Sequence, residues 1–74
     1  MDKKLVFRKG KKEIATYKSA YEFADDYETL SKVFPENIIP RVQQSARQNA
    51  FGLCIIGSKM SFGQGYVLEM KKAA

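Results

Sequence analysis

Seventy-four residues, a formal charge of +5 and 45% hydrophobic content leave room for one small domain with a modest core, too apolar to be disordered throughout. With no His and a single Cys, the chain cannot assemble a four-ligand Cys/His zinc centre or an intramolecular disulfide. No apolar run approaches the roughly 20 residues that span a bilayer, and Met1-Asp2-Lys3-Lys4-Leu5 lacks the apolar core of a signal peptide, so a cytoplasmic protein with no membrane partner is expected.

Leu5-Val6-Phe7-Arg8 and Glu13-Ile14-Ala15-Thr16-Tyr17 are rich in β-branched and aromatic residues and predict two strands. Gly10 supplies the tight connection of a hairpin whose tip carries Arg8, Lys9, Lys11 and Lys12. That knot of charge reads either as a solubilising turn or as a grip on phosphates.

Ser19-Ala20-Tyr21-Glu22 is a capping box, in which the Ser19 hydroxyl takes the Glu22 N–H and the Glu22 carboxylate returns to the Ser19 N–H. The helix that follows should bury Ala20, Phe23, Ala24, Tyr27 and Leu30 along one stripe. Glu22, Asp25 and Asp26 fall in its first two turns, where the helix dipole favours negative charge, so the acidic cluster reads as structural. Adjacent helix positions point about 100° apart, which argues against a Mg²⁺ site at Asp25 and Asp26.

Val33-Phe34-Pro35 breaks this pattern, because proline steers the preceding residue from the α region. Asn37 is then placed to cap a second helix over residues 40–50, with Pro40 in its first turn, Ile38 or Ile39, Val42, Ala46 and Ala50 buried, and Gly52 ending it. Leu53-Cys54-Ile55-Ile56 and Tyr66-Val67-Leu68-Glu69-Met70 read as a C-terminal hairpin with Cys54 a packed thiol, joined through the glycine-bearing run from Gly57 to Gly65. The strands could instead extend into that run around Met60 and Phe62. The nine aromatic residues, from Phe7 to Tyr66 and including Tyr21, Tyr27 and Phe51, are expected to build much of the core. The reading is a single α+β domain over 1–74, in the order β-β-α-α-β-β, with 1–4 and 71–74 frayed.

Charge is distributed unevenly. Residues 1–18 hold seven Lys or Arg against two acids, residues 19–36 hold Lys32 against five acids, and from Asn37 to Leu68 there is no carboxylate. Such a chain presents polyanions with one attractive face and one repulsive face. Within the acid-free run, Arg41, Gln44 and Gln48 share a helix face, and Arg47 lies beside it. Arg pairs with guanine edges and Gln or Asn with adenine edges in a major groove, whereas a merely solvated helix mixes Glu with Lys. Helix 40–50 is therefore the candidate recognition element for nucleic acid, DNA ahead of RNA, with Val42 and Ala46 as anchors. Arg8, Lys9, Lys11, Lys12 and Lys59 would hold phosphates.

Catalysis has little to stand on, with no His and no nucleophile beside a recognisable base, and no cofactor or metal is expected. Gly63-Gln64-Gly65 has no helix pattern after it to make a phosphate cradle. The alternative to nucleic acid is a protein-binding module, an inhibitor or assembly factor, that uses the acidic first helix or an exposed sheet edge and has a protein partner or a second copy.

The run Thr16-Tyr17-Lys18-Ser19-Ala20-Tyr21-Glu22-Phe23-Ala24, with Tyr17, Ser19, Glu22 and Ala24 matching and Gly65-Tyr66 as the closing element, resembles the small modular DNA-binding domains found beside homing endonucleases. The chain is also similar in its elements to winged helix-turn-helix regulators of small phages and mobile elements. Either resemblance implies a helix-turn-helix whose second helix, around Arg41–Asn49, enters the major groove.

Overall fold

The computed structural model describes residues 2–73. Strand β1 (Lys3–Lys9) alternates so that Leu5 and Phe7 point to one sheet face and Val6 and Arg8 to the other. It pairs with β2 (Lys12–Tyr17) through a two-residue turn in which Gly10 has φ +59°, a value that glycine adopts without steric cost at the first central position of a tight hairpin. Strands β3 (Lys59–Gly63) and β4 (Tyr66–Lys72) form the second hairpin around Gln64 and Gly65, both at positive φ, as a two-residue turn of the primed kind requires. β4 returns to lie beside β1, giving a four-stranded antiparallel sheet in the order β2-β1-β4-β3. The Gly10 N–H donates to the Gly65 carbonyl at 2.9 Å, fastening the two turns together.

Of the ends expected to fray, Lys3 and Lys4 pair in register with Lys72 and Lys71 within the sheet, and Met1 and Ala74 lie outside the described residues. The β1–β4 ladder satisfies backbone groups that the sequence pattern alone leaves open.

Three helices cover one face of the sheet. α1 (Ala20–Asp25) begins at Ser19, whose hydroxyl accepts the Glu22 N–H, but the Glu22 carboxylate reaches one residue further back, to the Lys18 N–H at 3.0 Å. The single helix expected through Leu30 is interrupted at Asp26 (φ −86°, ψ 69°), and α2 (Tyr27–Val33) starts there. Asp26 is the cause. Its carboxylate caps α2 by accepting the Thr29 N–H at 3.3 Å, and it also accepts the Tyr17 hydroxyl at 2.8 Å, which ties the helix junction to β2. The break turns Tyr27 outward, exposed, while Leu30 stays buried.

The same contacts shift both groups. The Tyr17 hydrogen bond, then the Thr29 contacts, hold the Asp26 carboxyl below its ordinary value, while burial and the Asp26 hydrogen bond push the Tyr17 phenol up. The pair therefore stabilises the fold fully between the ordinary carboxylate and phenol values, about pH 4 to 10. The Asp26 contribution is lost as pH falls through its depressed value, and that of Tyr17 as pH rises above about 10. Asp26→Ala removes the cap and is expected to cost about 0.5–2 kcal/mol at neutral pH, with the deficit shrinking toward the acid end. Urea melts of both proteins across acid pH check this, and a constant deficit would count against it.

α3 (Ile39–Gln48) is entered through Pro35 and a single 3₁₀ turn, Glu36–Ile38, which absorbs Asn37. Asn37 therefore does not cap α3. Ile38 holds the cap position without a side-chain hydrogen bond, and Pro40 sits in the first turn, where its missing donor costs little. Ile39, Val42, Ala46 and Ala50 are buried. The helix ends at Asn49 rather than at Gly52, and the Asn49 side chain donates back to the Ser45 carbonyl at 2.7 Å.

Leu53-Cys54-Ile55-Ile56 is not a strand. The chain keeps a helical path, with Leu53 N–H bonded to the Asn49 carbonyl at 2.9 Å, and passes through a 3₁₀ turn, Gly52–Cys54. Only Leu53 of the four is buried. Cys54 is exposed rather than packed, its thiol donating to the Ala50 carbonyl at 3.3 Å. The strand that pairs with β4 lies later, over Met60 and Phe62, where the alternative for the glycine-bearing run placed it. The element order remains β-β-α-α-β-β in outline, with the first expected helix divided into α1 and α2.

Phe7 is the hub of the core, its ring 5.0 Å from Phe23, 5.9 Å from Tyr66, 6.0 Å from Phe34 and 6.2 Å from Phe62. Three of the nine aromatics expected inside, Tyr21, Tyr27 and Phe51, are exposed instead.

Candidate functional site

α3 is held by three of its sides. Ile39, Val42 and Ala46 face the core. On the flank toward α1, Gln43 Nε2 donates to the Ala24 carbonyl at 2.8 Å, and Arg47 forms a 3.0 Å ion pair with Asp25. On the opposite flank, Arg41, Val42 and Ser45 border a depression shared with Phe34, Ile38 and Phe62 of β3. The side left to solvent carries Arg41, Gln44 and Gln48, all exposed, at spacings of three and four.

The expected readers therefore separate. Arg41, Gln44 and Gln48 stand together on the outward face, while Arg47 is turned aside and spends its charge on Asp25. The ion pair is solvent-exposed, so it positions Arg47 more than it stabilises the fold.

The expected phosphate grips also separate. Arg8 lies on the sheet face away from the helices, paired with Glu69 at 3.1 Å and donating to the Gly10 carbonyl at 2.6 Å. With Lys11, Glu13 and Lys71 it lines a depression on that open face, where two carboxylates offset part of the positive charge. Lys9 extends its ammonium over the Tyr66 ring at 5.1 Å, a cation–π contact at the hairpin tip, and Lys12 is its partner in register. Lys59 starts β3 opposite Glu69 and borders a second depression with Asn49, Gly52, Leu53, Ser58 and Met60.

These positions frame α3 from both ends. The β3–β4 turn packs by Pro35 and Ile38 at the start of α3, and the Gly10–Gly65 bond sets the basic tip beside that turn. Lys59 borders the depression beyond the other end of the helix, with register placing its side chain on the open sheet face opposite Glu69. The acid-free run from Asn37 to Leu68 spans α3, the turn after it, β3 and the start of β4, while Glu22, Asp25, Asp26 and Glu28 belong to α1, α2 and their junction.

Two further residues adjoin this surface, Asn49, already part of the expected run Arg41–Asn49, and Phe51, which was expected in the core. Asn49 closes α3 beside the Lys59 depression, and Phe51 projects at 91% exposure just beyond it. The signal for Phe51 was its spacing, three residues after Gln48 and seven after Gln44, which continues the polar stripe rather than the buried one. Among the described residues, no helix is long and apolar enough to cross a membrane. Comparison with protein-family models, curated proteins and solved structures finds no match to this chain.

Proposed function

We propose that this is a small non-enzymatic nucleic-acid-binding protein that engages duplex DNA with α3, in the manner of a helix-turn-helix recognition helix. One observation carries the reading: Arg41, Gln44 and Gln48 project from an anchored helix whose outward face has no carboxylate. Such side chains suit guanine and adenine edges, and the anchors on the other faces hold them in register. Lys9, Lys11 and Lys12 would take phosphates, while Arg8 contributes less because Glu69 already neutralises it, and Lys59 less because register places it opposite Glu69 on the sheet face away from α3. An exposed free thiol at Cys54 fits a reducing, cytoplasmic setting.

Fluorescence anisotropy with pooled DNA and RNA duplexes across salt tests the proposal. The logarithm of the affinity should fall linearly with the logarithm of salt, with a slope of about 0.9 per neutralised phosphate, and replacing Lys9, Lys11 and Lys12 by Ala should flatten it by up to about 3 units for all sequences alike. An absence of binding to DNA and RNA at low salt would end the reading.

The second reading is a protein-binding module. It is favoured by the position of β3, an outermost strand whose free edge can accept a strand from a partner or a second copy. Light scattering showing a stable oligomer without DNA affinity would favour it.

A further inference from the structure

One apolar cluster is left uncovered. Phe51 is 91% exposed, Ile55 65% and Ile56 46%, all within the turn that follows α3. Exposed apolar residues scattered singly are ordinary, but three large ones gathered in a six-residue stretch mark a contact surface.

The turn is built, not loose. Several of its backbone donors are held within the protein: Cys54 N–H to the Phe51 carbonyl at 3.3 Å, Ser58 N–H to the Ile55 carbonyl at 3.0 Å, and Gly57 N–H to the Met70 carbonyl at 2.8 Å. Leu53 is buried beneath it, and the Lys3 ammonium donates to the Cys54 carbonyl. The outward amide stripe of Gln44 and Gln48 runs up to Phe51 in the turn, and Ile55, at φ −98° and ψ 128°, leaves the helical path with an extended backbone. Lys3 and its register partner Lys72 lie at the base of the turn, and Lys59 borders it from β3.

We propose that this turn is a wedge, with Phe51, flanked by Ile55, entering a base step of the duplex that α3 contacts, while Lys3 and Lys72 hold the phosphates beside it. The inference rests on the nucleic-acid reading of α3 and assigns a second, sequence-tolerant element to it. Phe and Ile inserted between base pairs are an established means of kinking a duplex. Charge complementarity selects this occupant over a second copy, because the lysines around the turn would then face their own equivalents. A bilayer laid across the stripe would have to accommodate Arg41, Gln44 and Gln48 beside Phe51, whereas a duplex offers partners to both kinds of side chain.

Duplexes carrying 2-aminopurine at TA and CA/TG steps, the steps that unstack most readily, test the wedge. The wild-type protein should raise the probe's fluorescence severalfold on binding. Phe51→Ala, at a position too exposed to endanger folding, should abolish the rise and weaken binding about tenfold with the salt slope unchanged, since no phosphate contact is lost. Phe51→Trp should retain the rise. Duplex binding without any fluorescence rise, and unaffected by Phe51→Ala, overturns the wedge and leaves the α3 reading standing. Failure to bind any duplex overturns both. Phe51→Ala that releases the protein from anionic vesicles, or splits a dimer in light scattering, with duplex binding unaltered, overturns the wedge in favour of a bilayer or of a second copy.

Discussion

Replacing Phe7 by Ala is expected to leave the chain largely unfolded at physiological temperature. Its ring meets four other aromatic rings at centroid distances of 5.0–6.2 Å and is fully buried at the centre of the sheet. Truncating such a residue costs about 3–5 kcal/mol, combining lost transfer energy with the cavity left among rings that cannot collapse inward. At about 0.05–0.15 kcal/mol per residue, a domain of this length has on the order of 4–11 kcal/mol in total, and small domains lie toward the lower end. Thermal unfolding followed by circular dichroism checks the outcome. Phe51→Ala is the matched control, an equal truncation at the surface that should hardly move the midpoint. If the two variants melted alike, the aromatic cluster would not be what organises the core.

The second large effect separates the two arginines of α3. Arg41→Ala should weaken binding to a preferred duplex by about 1–3 kcal/mol, roughly 5- to 150-fold, and relax the preference at one base pair. Arg47→Ala should change affinity little, because its guanidinium is engaged by Asp25, and should cost at most about 1 kcal/mol of stability. Asp25→Ala supplies the converse: it frees Arg47 and removes a negative charge, so affinity for all sequences should rise. Anisotropy titrations of the three variants at one salt concentration decide between them. Equal losses for Arg41→Ala and Arg47→Ala would mean that the Asp25 pair opens on binding and that the outward stripe is drawn too narrowly.

The elements legible in the sequence are those specified by local chemistry. The first hairpin follows from Gly10 between two β-rich runs, the start of α1 from Ser19 and Glu22, and the buried side of α3 from Val42 and Ala46 at helical spacing. The differences arise where a distant partner decides. Asp26 breaks the first helix because Tyr17, nine residues earlier, and the α2 N-terminus both claim its carboxylate. Leu53-Cys54-Ile55-Ile56 has strand composition, yet the Asn49 and Phe51 carbonyls accept the Leu53 and Cys54 N–H groups and curl the chain into a turn, and the β4 edge pairs with Lys59–Gly63 instead. At the candidate site, the grouping of Arg41, Gln44 and Gln48 follows from periodicity. The withdrawal of Arg47 and Arg8 does not, because Asp25 and Glu69 are 22 and 61 residues away in the chain.

The pairing of β1 with β4 has a consequence for how the molecule is made. The two central strands of the sheet are joined through nearly the whole chain, with Lys3 opposite Lys72 and the Asp2 carbonyl accepting the Ala73 N–H at 3.0 Å. The entropy of closing so long a loop must be spent before those contacts form, so the domain belongs among slow folders for its size, with contact order rather than stability setting the rate. On the ribosome, the first hairpin and α1 emerge early, but the groove beside β1 stays open until the last strand arrives. The ring of Phe7 therefore gains its last aromatic neighbours, Phe62 and Tyr66, only when the second hairpin arrives.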